Sequence, residues 1–255
     1  MQFSKKYWLD FTFTMTLKEI KARYKRVLFG FIWIFLNPLL QMLVIGFIFQ
    51  YFVPMRTDNY FSFLFAGLLP WNFISYTVNK CTPLFMNERS LIQKANFPRE
   101  SLVFSIVFSN LFHFFCSLLL LIVYTLIFSF LTLSKFFILI FAIMILIIFV
   151  SGLSLLLSTL FVKFRDIKFI VSALMPIWFY ATPIIYQRSF LPLWLDTLIQ
   201  FNPATGILEL FQYVFVDTFS IDYKVVLLSV FISICFFILG TYIFNKNCAY
   251  FDDWL

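Results

Sequence analysis

A chain of 255 residues that is 62% hydrophobic and only 12% charged, with mean hydropathy +0.95, departs far from the roughly one-quarter charged make-up of a soluble domain. It is expected to form one polytopic membrane domain without a second, soluble one. The +7 net charge points to membrane orientation and anionic head groups, with no nucleic acid partner implied.

The first 27 residues carry seven Lys/Arg and no continuous apolar core, so no cleaved signal peptide is expected. Within them Thr16-Leu-Lys-Glu19 has the form of a capping box, threonine and glutamate each satisfying a free backbone N–H at a helix start. Leu17, Ile20, Tyr24 and Val27 then recur at helical spacing, with Lys18, Lys21 and Lys25 on another face. The segment reads either as an amphipathic helix in the cytoplasmic interface or as a basic anchor for the span that follows.

Six apolar stretches come next, near 28–53, 60–79, 101–130, 136–162, 169–186 and 225–244, each roughly long enough to cross a bilayer core. None contains Asp, Glu, Lys or Arg. Carriers coupled to protons or ions place such groups in the membrane to collect energy, so uphill work here requires an external source.

Asn37-Pro38 and Gln41 lie in the middle of the first stretch. Proline kinks the helix, and the two amides need partners away from lipid. Between the second and third stretches, Asn87 is placed to cap a short helix over 88–95, with Leu91, Ile92 and Phe97 offering an apolar face. This reads as a docking surface in preference to a solvent loop, with Pro98 in the first turn of the next helix. The third stretch is long enough to tilt or project, and its His113, near Asn110, reads as a helix–helix contact ahead of a catalytic base. Pro176 and Pro183 predict a bent or broken fifth span. The outer segment 187–223 stays apolar, and after Asn202-Pro203 a stripe of Ile207, Leu210, Phe211 and Val214 predicts interfacial or re-entrant helices.

Basic residues set the orientation. The N-terminus, the second-to-third and fourth-to-fifth connections and the tail share 15 Lys/Arg, against four on the opposite side. Both termini are therefore expected in the cytoplasm.

Other chemistry is missing from the sequence. It has no GxxxxGK[ST] phosphate loop, no HExxH, no GxSxG and no metal-ligand spacing. Cys81, Cys116, Cys235 and Cys248 lack pairing spacing and read as reduced thiols, and Arg165-Asp166 reads as a structural ion pair. No catalytic role, cofactor or metal is expected of this chain. The 40 Phe read mainly as lipid-facing and packing surface.

Seven segments in order resemble the membrane subunit of ABC-2 type polysaccharide exporters, the O-antigen, teichoic acid and capsule permeases. They are Leu17-Lys-Glu-Ile-Lys-Ala-Arg-Tyr-Lys25, Gly30 with Asn37-Pro38-Leu39, Gly67-Leu-Leu-Pro-Trp71, Ile92-Gln-Lys-Ala-Asn-Phe-Pro-Arg99, Phe164-Arg-Asp166, Thr182-Pro-Ile-Ile-Tyr186 and Asn202-Pro203. The resemblance implies an all-α, six-span inner-membrane subunit that forms a homodimer and joins two copies of an ABC ATPase, which bind ATP and Mg. The implied cargo is a lipid-linked polysaccharide, O-antigen first. Docking on the ATPase would fall to Lys18, Lys21, Tyr24, Glu88, Arg89, Leu91, Ile92 and Phe97. The first, second and fifth spans would line the pore, making Asn37, Gln41, Trp71 and Tyr180 candidates. The rivals are an ABC-2 exporter of a drug or small lipid, a membrane transferase using His113, and a proton-driven flippase, which the uncharged spans oppose.

Overall fold

The computed structural model describes residues 4–25, 30–52, 59–128, 132–217 and 219–251. They form eleven α-helices with short 3-10 turns, and no strand occurs among them. In chain order these are α1 (Lys5–Tyr24), α2 (Trp33–Phe52), α3 (Tyr60–Cys81), α4 (Leu84–Asn87), α5 (Arg89–Lys94), α6 (Glu100–Phe128), α7 (Leu133–Lys163), α8 (Ile167–Tyr180), α9 (Leu193–Gln200), α10 (Pro203–Phe215) and α11 (Tyr223–Asn247). Helices α3, α6, α7 and α11 are long and apolar enough to cross a membrane, and α2 and α8 are shorter apolar helices. The start of the first predicted span, from Leu28, lies outside the described residues.

α1 starts twelve residues earlier than the predicted capping box. Ser4 is its N-cap, the hydroxyl accepting from the Tyr7 amide at 3.2 Å. Thr16 lies mid-helix, where Thr12, Thr14 and Thr16 each return the hydroxyl to the carbonyl four residues back, at 2.7 to 2.8 Å. That back-bonding removes the hydroxyl as a competitor for backbone amides and lets a threonine-rich stretch stay helical. α1 runs obliquely along the first half of α6: Trp8 meets Phe104, and Tyr24 meets His113. The inward face is Trp8, Phe11, Thr12, Met15 and Arg23, while Leu9, Phe13 and Leu17 stay exposed. The predicted stripe of Leu17 with Tyr24 is therefore split between the two faces.

Polar α1 covers the beginning of α6, and this accounts for the length of α6. At 29 residues α6 is about 43 Å long, roughly 13 Å more than a bilayer core. The start of α6 is flanked by the first turns of α1, where Trp8 meets Phe104 and Phe11 stacks on Phe97 just ahead of it.

α3 occupies the centre, touching α2, α6, α7, α8 and α10. Sixteen of its 22 residues are buried. α7 and α11 form the most extensive helix pair. Gly152 and Gly240 permit it, because a Cβ on Gly240 would overlap the Gly152 carbonyl, and one on Gly152 would overlap the Phe237 backbone. α8 ends at Tyr180, before the Thr182-Pro183 step, which disfavours helix at Thr182. α10 begins as an N-capped helix, Asn202 Oδ1 accepting from the Ala204 amide at 3.0 Å with Pro203 at the first position. The predicted one-sided stripe on α10 gives way to burial on nearly all sides, against α3, α7 and α11.

Candidate functional site

A groove of about 460 Å3 lies between α2, α3 and α8. Among the described residues its polar lining is uncharged: Gln41, Asn72, Ser75, Tyr76, Asn79, Ser172 and Tyr180. Asn72 donates to the Gln41 carbonyl oxygen at 2.8 Å, and the Asn37 amide donates to the Tyr76 hydroxyl at 3.3 Å. These bonds satisfy the amides that Pro38-containing α2 brings into the apolar layer, and they fasten α2 to α3. Aromatic rings complete the wall. Trp71 packs edge-on to Trp178 at 5.4 Å between centroids and tilted on Phe179 at 5.7 Å, and Tyr186 donates to the Tyr180 carbonyl at 3.0 Å. Such a surface offers weak hydrogen bonds and ring faces, with no fixed charge to hold a passing ligand.

At the end of α3 that carries Lys80, three chain segments are tied together. Lys80 pairs with Glu19, and Lys18 with Glu88 at 3.4 Å. Tyr7 donates to the Asn96 carbonyl at 3.3 Å, and Phe11 stacks on Phe97 at 4.8 Å. Arg99 donates to the Cys248 carbonyl and lies over the Phe251 ring, which is fully buried against Phe85 and Phe244. The C-terminal turn thus supports the base of α4 and α5. Burial raises the Tyr24 hydroxyl pKa above its usual value, with Arg23 opposing.

The opposite end of the bundle holds a charge cluster. Arg188, between α8 and α9, bonds both oxygens of Asp196 at 2.7 and 3.1 Å and Glu209 Oε1 at 2.6 Å, and it lies 3.6 Å from Asp222. Burial opposes the Arg188 charge, but the bonds to Asp196 and Glu209 outweigh it and raise its pKa. The Arg188 hydrogen bond holds Asp196 below its usual value. Glu209, on buried α10, is pushed up by burial more strongly than Arg188 pulls it down.

A family model of the ABC-2 type transporter matches residues 11–216, from inside α1 to the end of α10. The chain belongs to the ABC-2 type transporter family. Among its relatives, the "O-antigen export system permease protein RfbA" of Myxococcus xanthus is 32% identical over 208 residues, covering 80% of this chain and 79% of the relative. A Klebsiella pneumoniae protein of the same name is 29% identical over 248 residues, covering 96% of this chain and 95% of the relative. A second Klebsiella pneumoniae RfbA is 29% identical over 250 residues, again covering 96% and 95%.

Gln41, Trp71 and Tyr180 lie on one groove, with Asn37 linked to it through Tyr76. Trp71 is 5% exposed, so its ring supports Phe179 from behind and presents little surface to the groove. The expected docking residues divide. Lys18, Lys21 and Arg89 are exposed and Glu88 partly so, whereas Tyr24 turns inward to His113 at 3.0 Å. Ile92 and Phe97 are each 5% exposed, and Leu91 packs against the same cluster. The apolar face expected to meet a partner is covered from within by Phe85, Leu102 and Phe11, because a six-residue helix needs such a tether to hold its shape. Asn87 ends α4, and Glu88 occupies the N-cap position of α5 without a side-chain cap bond. Arg165 and Asp166 are both exposed, and no ion pair joins them among the described residues, contrary to the expected bridge. His113 does make the expected hydrogen-bonded contact between helices.

The sequence reading passed over Phe179, Asn72 and the Arg188 cluster. Glu209 was the available signal, since one carboxylate within an otherwise apolar helix requires a buried cation.

Proposed function

We propose that this chain is the permease subunit of an ATP-driven exporter that moves a lipid-linked O-antigen polysaccharide out of the cytoplasm across the bacterial inner membrane. The observation carrying this reading is the uncharged groove of α2, α3 and α8, lined by amides, hydroxyls and rings, in a chain whose relatives are named O-antigen export permeases. A sugar polymer needs many weak, sequence-tolerant contacts, and aromatic faces against sugar C–H surfaces supply them.

In this reading α2, α3, α6, α7, α8 and α11 are the six spans, α9 and α10 dip into the membrane from outside, and both termini are cytoplasmic. Two copies join across the grooves to close a conduit. Lys18, Lys21, Glu88 and Arg89 meet two ABC ATPase subunits, which bind ATP and Mg and do the hydrolysis. The proline-containing α2 and α8 suit a wall that moves, since proline leaves a backbone carbonyl unpaired and weakens the helix at that point.

Deletion of the chain should leave lipid-linked polymer in the cytoplasm and none at the surface, with export restored by the intact gene. Normal surface polymer with lost export of a small amphiphile would instead assign the chain to a drug or lipid exporter. Affinity-purified chain should bring down an ATPase, and its recovery alone under mild detergent would count against the coupled assembly.

A further inference from the structure

Behind the groove, on the other side of α2, lies a cavity of about 390 Å3 between α1, α2, α3 and α6. At one end are Arg23, Tyr24, Tyr76, Asn110 and His113, and further in are Pro38, Leu69, Phe73 and Phe114. The polar groups of the deeper part are satisfied within the protein. Ser117 donates to the Ile34 carbonyl at 3.2 Å, and Asn72 and Asn37 bond Gln41 and Tyr76 as described.

Arg23 is different. It is half-buried, with one guanidinium nitrogen fixed on Asn110 Oδ1 at 2.7 Å, yet no described residue lining the cavity is acidic. The nearest acid on its own helix, Glu19, is committed to Lys80. When the Tyr24 hydroxyl donates to His113 Nδ1, Nε2 carries the hydrogen and is a second buried donor without a partner. A partly buried cation beside an unused donor favours an anion in the same space.

The depth of the cavity narrows the choice of anion. α3, at 22 residues, is about 33 Å long and matches a bilayer core, so its Lys80 end sits at the membrane boundary. Thr77, bonded to Asn110 at 3.1 Å, lies one turn inside that end, and Leu69 lies roughly 12 Å deeper. The cation is therefore at head-group level, and the apolar walls extend into the acyl layer. We infer that this cavity binds an anionic membrane phospholipid, its phosphate on Arg23 and His113 and an acyl chain along Leu69, Phe73 and Phe114. The inference depends on the chain's being in a membrane and not on the cargo, so it stands or falls separately from the export reading.

The test uses the full chain, with any partner that accompanies it, in an uncharged detergent. Phosphatidylglycerol, phosphatidylcholine and inorganic phosphate are titrated separately, and binding is read by native mass spectrometry alongside the thermal midpoint. Phosphatidylglycerol is expected to bind roughly tenfold more tightly than phosphatidylcholine and to raise the midpoint, with Arg23→Gln removing both differences. Arg23→Lys should retain part of the preference and so show that the fold survives at this position. Lys25→Gln, at an exposed position two residues away, should leave it unchanged. Equal loss in Lys25→Gln and Arg23→Gln would overturn the site in favour of diffuse surface charge. Protection by inorganic phosphate matching that of the lipid would overturn the lipid assignment, as would equal binding of the two lipids.

Discussion

Replacing Arg188 by methionine tests whether one guanidinium holds the segment between α8 and α11 in place. The Arg188 side chain is 13% exposed and Glu209 4%, so this is a buried pair, with Asp196 at 23% partly so. Asp222, 43% exposed and 3.6 Å away, adds little. Removing the cation leaves a buried carboxylate uncompensated and two further acids close to it, and breaking a buried pair costs about 3–5 kcal/mol. Because burial has already pushed Glu209 toward its neutral form, protonation absorbs part of that cost, and about 3 kcal/mol is expected at neutral pH. For a chain of this size that corresponds to a fall in thermal midpoint of about 6–12 °C.

The assay is unfolding of the detergent-solubilised chain followed by circular dichroism, with Glu209→Leu and the double variant alongside. Exchanging a buried pair for apolar side chains is often close to neutral, so Arg188→Met with Glu209→Leu should recover to within about 1 kcal/mol of the parent. Arg188→Met behaving like the parent would refute the clasp. A double variant no better than Arg188→Met alone would show that Glu209 is not the partner that matters.

The same cluster gives stability two opposed pH dependences. Glu209 has a raised folded pKa, so its protonated form is favoured on folding and stability declines as pH climbs from the ordinary 4.5 into the shifted range; Glu209→Gln should remove that decline. Asp196 has a lowered folded pKa, so its contribution is complete above the ordinary 3.8 and is lost as pH falls below it; Asp196→Asn should flatten that acid limb in melts recorded across pH. Gly240→Val should force α7 and α11 apart and cost about 3 kcal/mol or more, read as a fall in the thermal midpoint. At the exposed charged end, Arg89→Glu should lower ATPase co-purification without moving the thermal midpoint, whereas Ile92→Asp should lower the midpoint by burying a charge. Similar behaviour of those two variants would mean that α5 has no separate outward and inward faces.

Helix positions were legible because hydropathy and length fix them: every apolar stretch contains a helix whose ends fall within a few residues of the expected ones, apart from α2 and α8. α8 stops at Tyr180, six residues short, because the Thr182-Pro183 step takes effect before the hydropathy falls. Facing was less legible. Leu91, Ile92 and Phe97 look like a free apolar surface in a linear reading, since nothing local announces that Phe11 from α1 stacks on Phe97 or that the C-terminal Phe251 joins the same buried cluster. α1 was mistaken in the same way. Its capping-box pattern is correct as a pattern, but Glu19 gains more from the Lys80 ammonium than from a backbone amide already bonded within the helix, and the true start is set by Ser4.

What the sequence does fix about the groove is its neutrality, and this follows from where the charges have gone. The described ion pairs form two layers, Lys18, Glu19, Lys80 and Glu88 at one end and Lys135, Arg188, Asp196, Glu209, Asp217 and Asp222 at the other. Between them Gln41 binds Asn72 and Asn37 binds Tyr76, so these amides of the wall are held by neighbours of equal weakness. Exchanging such a bond for one to a passing hydroxyl would cost little free energy, which suits the proposed surface for a sliding polymer. A carboxylate or ammonium in the same place would gain more from one ligand position than from the next and would create a stopping point. The uncharged wall and the lack of Asp, Glu, Lys and Arg in the six apolar stretches are thus one physical choice, and both agree with the proposal that a partner subunit supplies the energy.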